Sequence, residues 1–372
     1  MRHAYGIVTG PDGGPPFLAA RVDGVAVDLR GVGGVPRYVA DAHDLHPLLA
    51  LGRHGWDEVH GAVHAHLASG PATVPVETLQ VRLPVVPGDY VDFYASEHHA
   101  TNLGRILRPS EPALPDAWRH LPVGYHGRAG SVVVSGTPIR RPVGLVGPGD
   151  RRPSARLDLE LELGFIVGTD VAMGDVLAPD DAADHVFGVV LVNDWSARDI
   201  QAFEFRPLGP FAGKSFATSI AGWVTPLAAI PRVAPPVQDP PVDPVLAAQE
   251  PWGLDIDVAW SLNGTEVGRT NASRLWWTFA QQLAHLTANG AGLRAGDLFA
   301  SGTISGPGSG EEGSLIEAGR NGRAPITLDD GTARAWLEDG DTVTLTGSWC
   351  SAAGVADLAE VTGTIAPAQE TR

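Results

Sequence analysis

The chain has 372 residues, 44% of them apolar, with 46 glycines and 31 prolines. That length allows about two or three ordinary domains, and the composition describes a turn-rich, strand-rich protein rather than a helical bundle or a disordered chain. Lys plus Arg number 26 against 43 Asp plus Glu, a net charge of −17, which argues against nucleic acid or an anionic membrane surface as principal partner. The one cysteine, Cys350, can form neither an internal disulfide nor a zinc framework, residues 1–7 lack the apolar core of a signal peptide, and no apolar run could span a bilayer. A cytoplasmic protein is expected.

Residues 1 to about 86 read as a separate small unit. Short strands such as residues 24–29 precede an amphipathic helix on which Trp56, Val59, Val63 and Leu67 recur at helical spacing. His60 and His64 lie four apart on that helix, a spacing that can seat a metal. No third ligand lies near them, so with His54 and His66 they read as a solvated face. From Asp89 onward motifs become dense. Residues 90–104 predict a strand end, a Ser96 N-cap and a short helix closed by Gly104. Asp92 and His99 flank that turn, and a histidine in the first turn of a helix suits a neutral general base. Tyr90, Tyr94, Arg108, Tyr125 and Arg128 all lie within residues 90–128, a grouping that suits a small carboxylate-bearing ligand.

Residues 157–163 alternate strictly. As a strand they place four leucines on one face and Asp158, Glu160 and Glu162 on the other, with successive acids about 7 Å apart. Such a row needs water, arginine or a hard cation, and without a further acid it reads as a half-exposed strand. Asp194 supplies that acid at the end of the apolar run 187–192. If residues 193–201 begin a helix, Asp194, Arg198 and Gln201 point one way; the alternative is helix capping plus an i, i+4 ion pair. Residues 209–215 resemble a phosphate loop, but only Pro210, Phe211 and Ala212 separate the glycines, one fewer than a Walker A loop needs. What remains is a rigid turn presenting Lys214, with Ser215 and Thr218 behind it. Lys214 is the only lysine among the 26 basic residues, and a lysine retained where arginine serves elsewhere marks a role for a compact ammonium.

Residues 226–251 are proline-rich and read as a surface excursion of this domain. Residues 254–262 alternate like a strand, Asn263-Gly264 signals a hairpin, and residues 274–286 predict an amphipathic helix whose Trp276 and Trp277 fit either a core or an interface. The signatures of serine hydrolases, zincins and dinucleotide-binding folds are missing.

Several segments together resemble the fumarylacetoacetate hydrolase family: Asp92-Phe93-Tyr94-Ala95-Ser96, His99-Ala100-Thr101-Asn102, Leu121-Pro122-Val123-Gly124-Tyr125-His126-Gly127-Arg128, residues 193–201, Pro207-Leu208-Gly209-Pro210-Phe211 with Gly213-Lys214-Ser215-Phe216, and Gly302-Thr303-Ile304-Ser305-Gly306-Pro307. The likeness runs in order from residue 89 to about 347. It implies a mainly β fold: the mixed β-roll of that family over residues 87–372, with a small SH3-like β-barrel over residues 1–86. It places metal ligands at Asp92, Glu160, Glu162 and Asp194, with Lys214 and Thr218 beside the metal, and oxygen-only ligands suit Mg²⁺ or Ca²⁺. It makes His99 the general base, oriented by Glu317, gives Arg198, Gln201 and Lys214 the developing negative charge, and puts Tyr94, Arg108, Tyr125, Arg198, Gln201 and Thr303 against the substrate. The implied activity is metal-dependent hydrolysis of a carbon–carbon bond in a β-diketo acid, with 4-fumarylacetoacetate giving fumarate and acetoacetate at the end of tyrosine and phenylalanine catabolism, in a homodimer. The chain departs from the better-known animal enzymes at Phe205, where they carry a tyrosine, and at Glu97-His98, where they carry Arg-Gln. Alternatives are a hydrolase, isomerase or decarboxylase acting on another acylpyruvate or diketo acid, and a non-catalytic protein stabilised by its metal.

Overall fold

The computed structural model describes residues 3–352 and 354–369. Its centre is the strand Val186–Asp194, buried at every position. An apolar run of this kind is stable only when both faces are covered, and here they are. It pairs antiparallel with Leu161–Val167 on one side and with Thr218–Ile220 and Trp223–Pro226 on the other. Beyond Leu161–Val167 come Leu298–Ala300, Tyr90–Phe93 and Gly124–His126. This register matters for chemistry, because it brings Asp92, Glu162 and Asp194, each from a different strand, to one end of the sheet.

A second, five-stranded sheet contains Asp257–Leu262, Thr265–Asn271, Thr342–Ser351, Gly354–Ala366 and Ile139–Arg140. Its hairpin turns at Asn263 and Gly264, whose φ values of 49° and 87° are the positive pair such a two-residue turn requires. Long strands of this sheet pack on Val186–Asp194. Trp195 fills the space over Gly363, where a Cβ would lie 2.6 Å from the indole.

The N-terminal strands close no barrel among the described residues. Val74–Pro75, Val25–Asp28, Phe17–Val22 and His3–Thr9 are consecutive neighbours, and His3–Thr9 continues into the central sheet through Tyr5↔Val224 and Gly6↔Trp223. The edge of His3–Thr9 that closure would need is taken by Trp223–Pro226 and Gln80–Val81. The helix Gly52–Ala68 has the expected apolar face, with Trp56, Val59 and Val63 buried, and Trp56 meets Phe187 edge-on at 5.2 Å.

Four local expectations change. The helix Glu97–Leu107 begins at its Ser96 cap but runs past Gly104, whose missing side chain instead admits the Ala113 carbonyl, 1.8 Å from where a Cβ would stand. Asp194 ends its strand, and the following helix, Arg198–Glu204, starts without a side-chain cap, so the i, i+4 placement of Asp194 and Arg198 does not form. Residues 157–163 form two buried strand pieces, Leu157–Asp158 and Leu161–Val167, joined across a bridge between Glu160 and Ser314, and none of the acids is half-exposed. The helix expected from residue 274 begins at Phe279 behind a Thr278–Gln281 capping box, because Trp276 and Trp277 are drawn into the core, their amides donating to the Ala95 carbonyl.

Candidate active site and metal centre

Asp92, Glu162 and Asp194 are almost fully buried, and one carboxylate oxygen of each lies within 4.8 Å of the others. Asp92 Oδ1, Asp194 Oδ1 and both oxygens of Glu162 have no hydrogen-bond partner. Burial, and then repulsion among these neighbours, pushes Asp92 and Glu162 well above the usual carboxylate range; Asp194 is also raised, chiefly by burial, with Lys214 opposing the shift. Unsatisfied buried carboxylates are costly unless something positive sits among them. An all-oxygen donor set fits a hard divalent cation. The Tyr125 hydroxyl ties two of these acids together, donating to Asp92 at 3.1 Å and to Asp194 at 2.8 Å.

Glu160 stands apart from this trio. Arg198 Nη2 donates to its Oε1 at 2.7 Å, and the Lys214 ammonium donates to its Oε2 and to Asp194. Burial alone would raise Glu160, but Arg198 and Lys214 pull it below the usual range. Thr218, buried, lies opposite Asp194 in strand register.

The Arg198 guanidinium is fixed from three sides: Nε donates to Asp158 Oδ2 at 2.7 Å, Nη2 to Glu160, and Nη1 to Gln201 Oε1 at 3.2 Å. The Asp158 carboxylate also accepts the amides of Leu315 at 2.8 Å and Ile316 at 3.3 Å, at the start of the helix Leu315–Ala318 that carries Glu317. Asp158 thus joins the arginine to the glutamate. Sequence reasoning placed it on the acidic face without assigning it a partner.

His99 Nδ1 and Glu317 Oε2 are 2.6 Å apart, both buried. Glu317 also accepts hydrogen bonds from Asn102 at 3.0 Å, Ser305 at 3.0 Å and Ser314 at 2.6 Å. Burial raises this carboxyl, but His99 and these donors bring it below its ordinary value. A carboxylate so held accepts Nδ1–H and leaves Nε2 as the free nitrogen. Nε2 is 3.7 Å from Glu160 Oε1, and the Tyr94 ring packs edge-on against the imidazole at 5.3 Å. Asn102 and Ser305 lie in segments that carry the family resemblance, but the sequence reading assigned no role to them or to Ser314.

A cavity of about 450 Å³ opens over these groups. Asp92, His99, Glu160, Glu162 and Lys214 line its floor, while Tyr94, Arg108, Tyr125, Arg198, Gln201 and Thr303 are also on its walls, with Phe205 and Leu208. Arg108 is half-buried there, donating to the Ala113 carbonyl at 3.3 Å. The histidine pair of the N-terminal helix forms no such group: His60 is buried with its Nδ1 2.6 Å from the Tyr5 hydroxyl, whereas His64 is exposed.

The family model "Fumarylacetoacetate (FAA) hydrolase C-terminal" matches residues 90–365. The chain belongs to the fumarylacetoacetate hydrolase family. It is 44% identical over 335 residues to the fumarylacetoacetase of Homo sapiens, covering 83% of this chain and 80% of that protein. To the fumarylacetoacetase of Arabidopsis thaliana it is 39% identical over 377 residues, covering 92% and 89%. Among solved structures, a fumarylacetoacetate hydrolase from Exiguobacterium antarcticum superposes with a TM-score of 0.60 at 17% identity, covering 99% of this chain and all of that one. A maleylpyruvate hydrolase from Sphingobium gives 0.58 at 16% identity, covering 98% and 99%. At such identities the structural likeness speaks for the fold alone. No helix among the described residues is long and apolar enough to cross a membrane.

Proposed function

We propose that the chain hydrolyses the carbon–carbon bond of a β-diketo acid, 4-fumarylacetoacetate, to fumarate and acetoacetate. The observation that carries this reading is the His99–Glu317 pair beside the Asp92–Glu162–Asp194 cluster in one cavity. His99 Nε2 takes a proton from water, and the hydroxide attacks the carbonyl next to the bond to be broken. Glu317 holds the imidazole in the tautomer that can do this and stabilises the imidazolium that results. Arg198, Gln201 and Lys214 hold the negative charge that develops on oxygen. As the bond breaks, its electron pair passes to the departing acetoacetate carbon, which takes up the proton His99 received. Asp92, Glu162 and Asp194, with Glu160 beside them, would hold Mg²⁺ or Ca²⁺, which supplies Lewis-acid stabilisation of the diketo oxygens when bound. Tyr94, Arg108, Tyr125 and Thr303 orient the substrate, Thr218 and Lys214 border the metal, and Phe205 offers an apolar contact without a hydroxyl.

The same reading takes the active form as a cytoplasmic homodimer in which residues 1–86 are an N-terminal unit whose first strand joins the central sheet of the catalytic body, residues 87–372. The test is loss of fumarylacetoacetate absorbance by the purified protein, with EDTA and with Mg²⁺ or Ca²⁺ restored. Metal-dependent loss yielding fumarate and acetoacetate, absent in Asp194→Asn, is expected. A metal-loaded protein that leaves this substrate intact refutes the assignment.

A further inference from the structure

We propose that Glu204 is a positioning residue for Lys214, its carboxylate filling the anion seat of the glycine loop that carries the lysine. The inference rests on the reading above in giving Lys214 a role in turnover, and beyond it concerns a group outside the cavity wall. Residues 209–215 resemble a phosphate loop in sequence, and their backbone does hold an anion, but one supplied by the chain itself. Glu204 Oε1 accepts the amides of Phe211 at 2.9 Å and Gly213 at 2.7 Å, and Oε2 accepts that of Ala212 at 3.0 Å. Consecutive amides converging on one carboxylate form a concave anion site of the kind that elsewhere binds phosphate. No cation pairs with Glu204 among the described residues within salt-bridge distance.

Glu204 is the last residue of the helix that begins with Arg198 and includes Gln201. Its carboxylate therefore clamps the loop bearing Lys214 to the helix bearing the other two charge-stabilising groups. Two further ties act at the same junction. The Ala197 amide donates to the Gly213 carbonyl at 2.8 Å, and Gly213 lies so close to Gln201 that a Cβ would stand 2.7 Å from its backbone nitrogen. Lys214, next in the chain, is buried with its ammonium between Glu160 and Asp194. Without the carboxylate, three amides lose their acceptor, the turn is free to shift, and the lysine shifts with it. Because Glu204 is only partly buried, a small anion from solvent can reach the vacated seat.

Lys214 is the only lysine, so its reactivity can be read directly by mass spectrometry after brief exposure to an amine-specific reagent, apart from the chain's α-amino group. In the full chain at fixed Mg²⁺, Glu204→Ala is expected to label faster at Lys214 than the parent, and acetate or inorganic phosphate to slow that labelling again. Glu204→Gln, which keeps one acceptor oxygen, should fall between and serves if the alanine variant does not fold. In turnover, kcat of Glu204→Ala should drop on the order of 10²-fold with a smaller change in KM, as expected for misplacement by about 1 Å, and acetate should restore part of it. Unchanged labelling in both variants overturns the proposal, as does faster labelling in a folded variant that no anion reverses. The labelling needs no substrate, so a parent protein inactive on fumarylacetoacetate would sink the functional assignment and leave this test standing.

Discussion

Replacing Glu317 by glutamine asks how much of the reaction depends on one buried charge. The side chain keeps its shape, but its Oε2 oxygen accepts from His99 Nδ1, Ser305 and Ser314, while Oε1 accepts from Asn102. An amide cannot satisfy all four donors. With its oxygen toward His99, its NH₂ faces the Asn102 amide. With its NH₂ toward His99, Nδ1 must become the acceptor, which places the proton on Nε2 and blocks the base. In either orientation the imidazolium formed during water activation loses its counter-charge. A buried hydrogen bond to a charged group is worth about 1.5–3 kcal/mol, which corresponds to roughly 10- to 150-fold in rate. We expect kcat to fall within that range with KM nearly unchanged. Mg²⁺ affinity by calorimetry should match the parent, since Glu317 is outside the carboxylate trio. A kcat within about threefold of the parent, under about 0.7 kcal/mol, would refute the assignment of Glu317 as the partner of the base.

Asp158→Asn keeps an oxygen for the Leu315 amide at the Oδ1 position but sets its NH₂ against the Ile316 amide and Arg198 Nε at the Oδ2 position, and it withdraws the charge from Arg198, a buried pair whose disruption costs about 3–5 kcal/mol. Denaturant unfolding should register a loss of that order, tempered by Glu160, and kcat should fall with metal affinity preserved; a variant as stable and active as the parent would remove Asp158 as the link between the two arms of the site. His3 and His60 provide a pH dependence. Burial, as the largest cause, lowers each from 6.5 to about 4, with His64 adding to it at His3 against a hydrogen bond involving His60, and His3 and Arg53 adding to it at His60 against Asp57. Between those values the unfolded chain binds more protons than the folded one, so stability is complete above about pH 6.5 and is lost as pH falls toward 4, by up to about 3 kcal/mol per histidine. Urea unfolding from pH 7 to pH 5 should show this decline, and His60→Gln should flatten it. An identical slope in the variant would exclude the histidine cluster as its source.

Local rules located the site's parts but not their partners. The alternation across residues 157–163 identified the acidic face, and the solitary lysine marked Lys214, because both signals reside in neighbouring residues. Which acid stays unpaired depends on distant ones. Glu160 and Glu162 occupy equivalent positions on that face, yet Arg198 and Lys214 claim the first and leave the second with two orphaned oxygens. That choice follows from strand register: Glu162 lies opposite Val192, two residues before Asp194, while Glu160 reaches the Arg198 helix. The resemblance to a known family proposed all four acids as ligands together, and the fold divides them into a trio that needs a cation and a fourth already compensated by two. The same division predicts a penalty for Lys214→Arg. Its single ammonium fits between Glu160 and Asp194, touching both the compensated acid and the uncompensated cluster, where a planar fork would have to displace one of them.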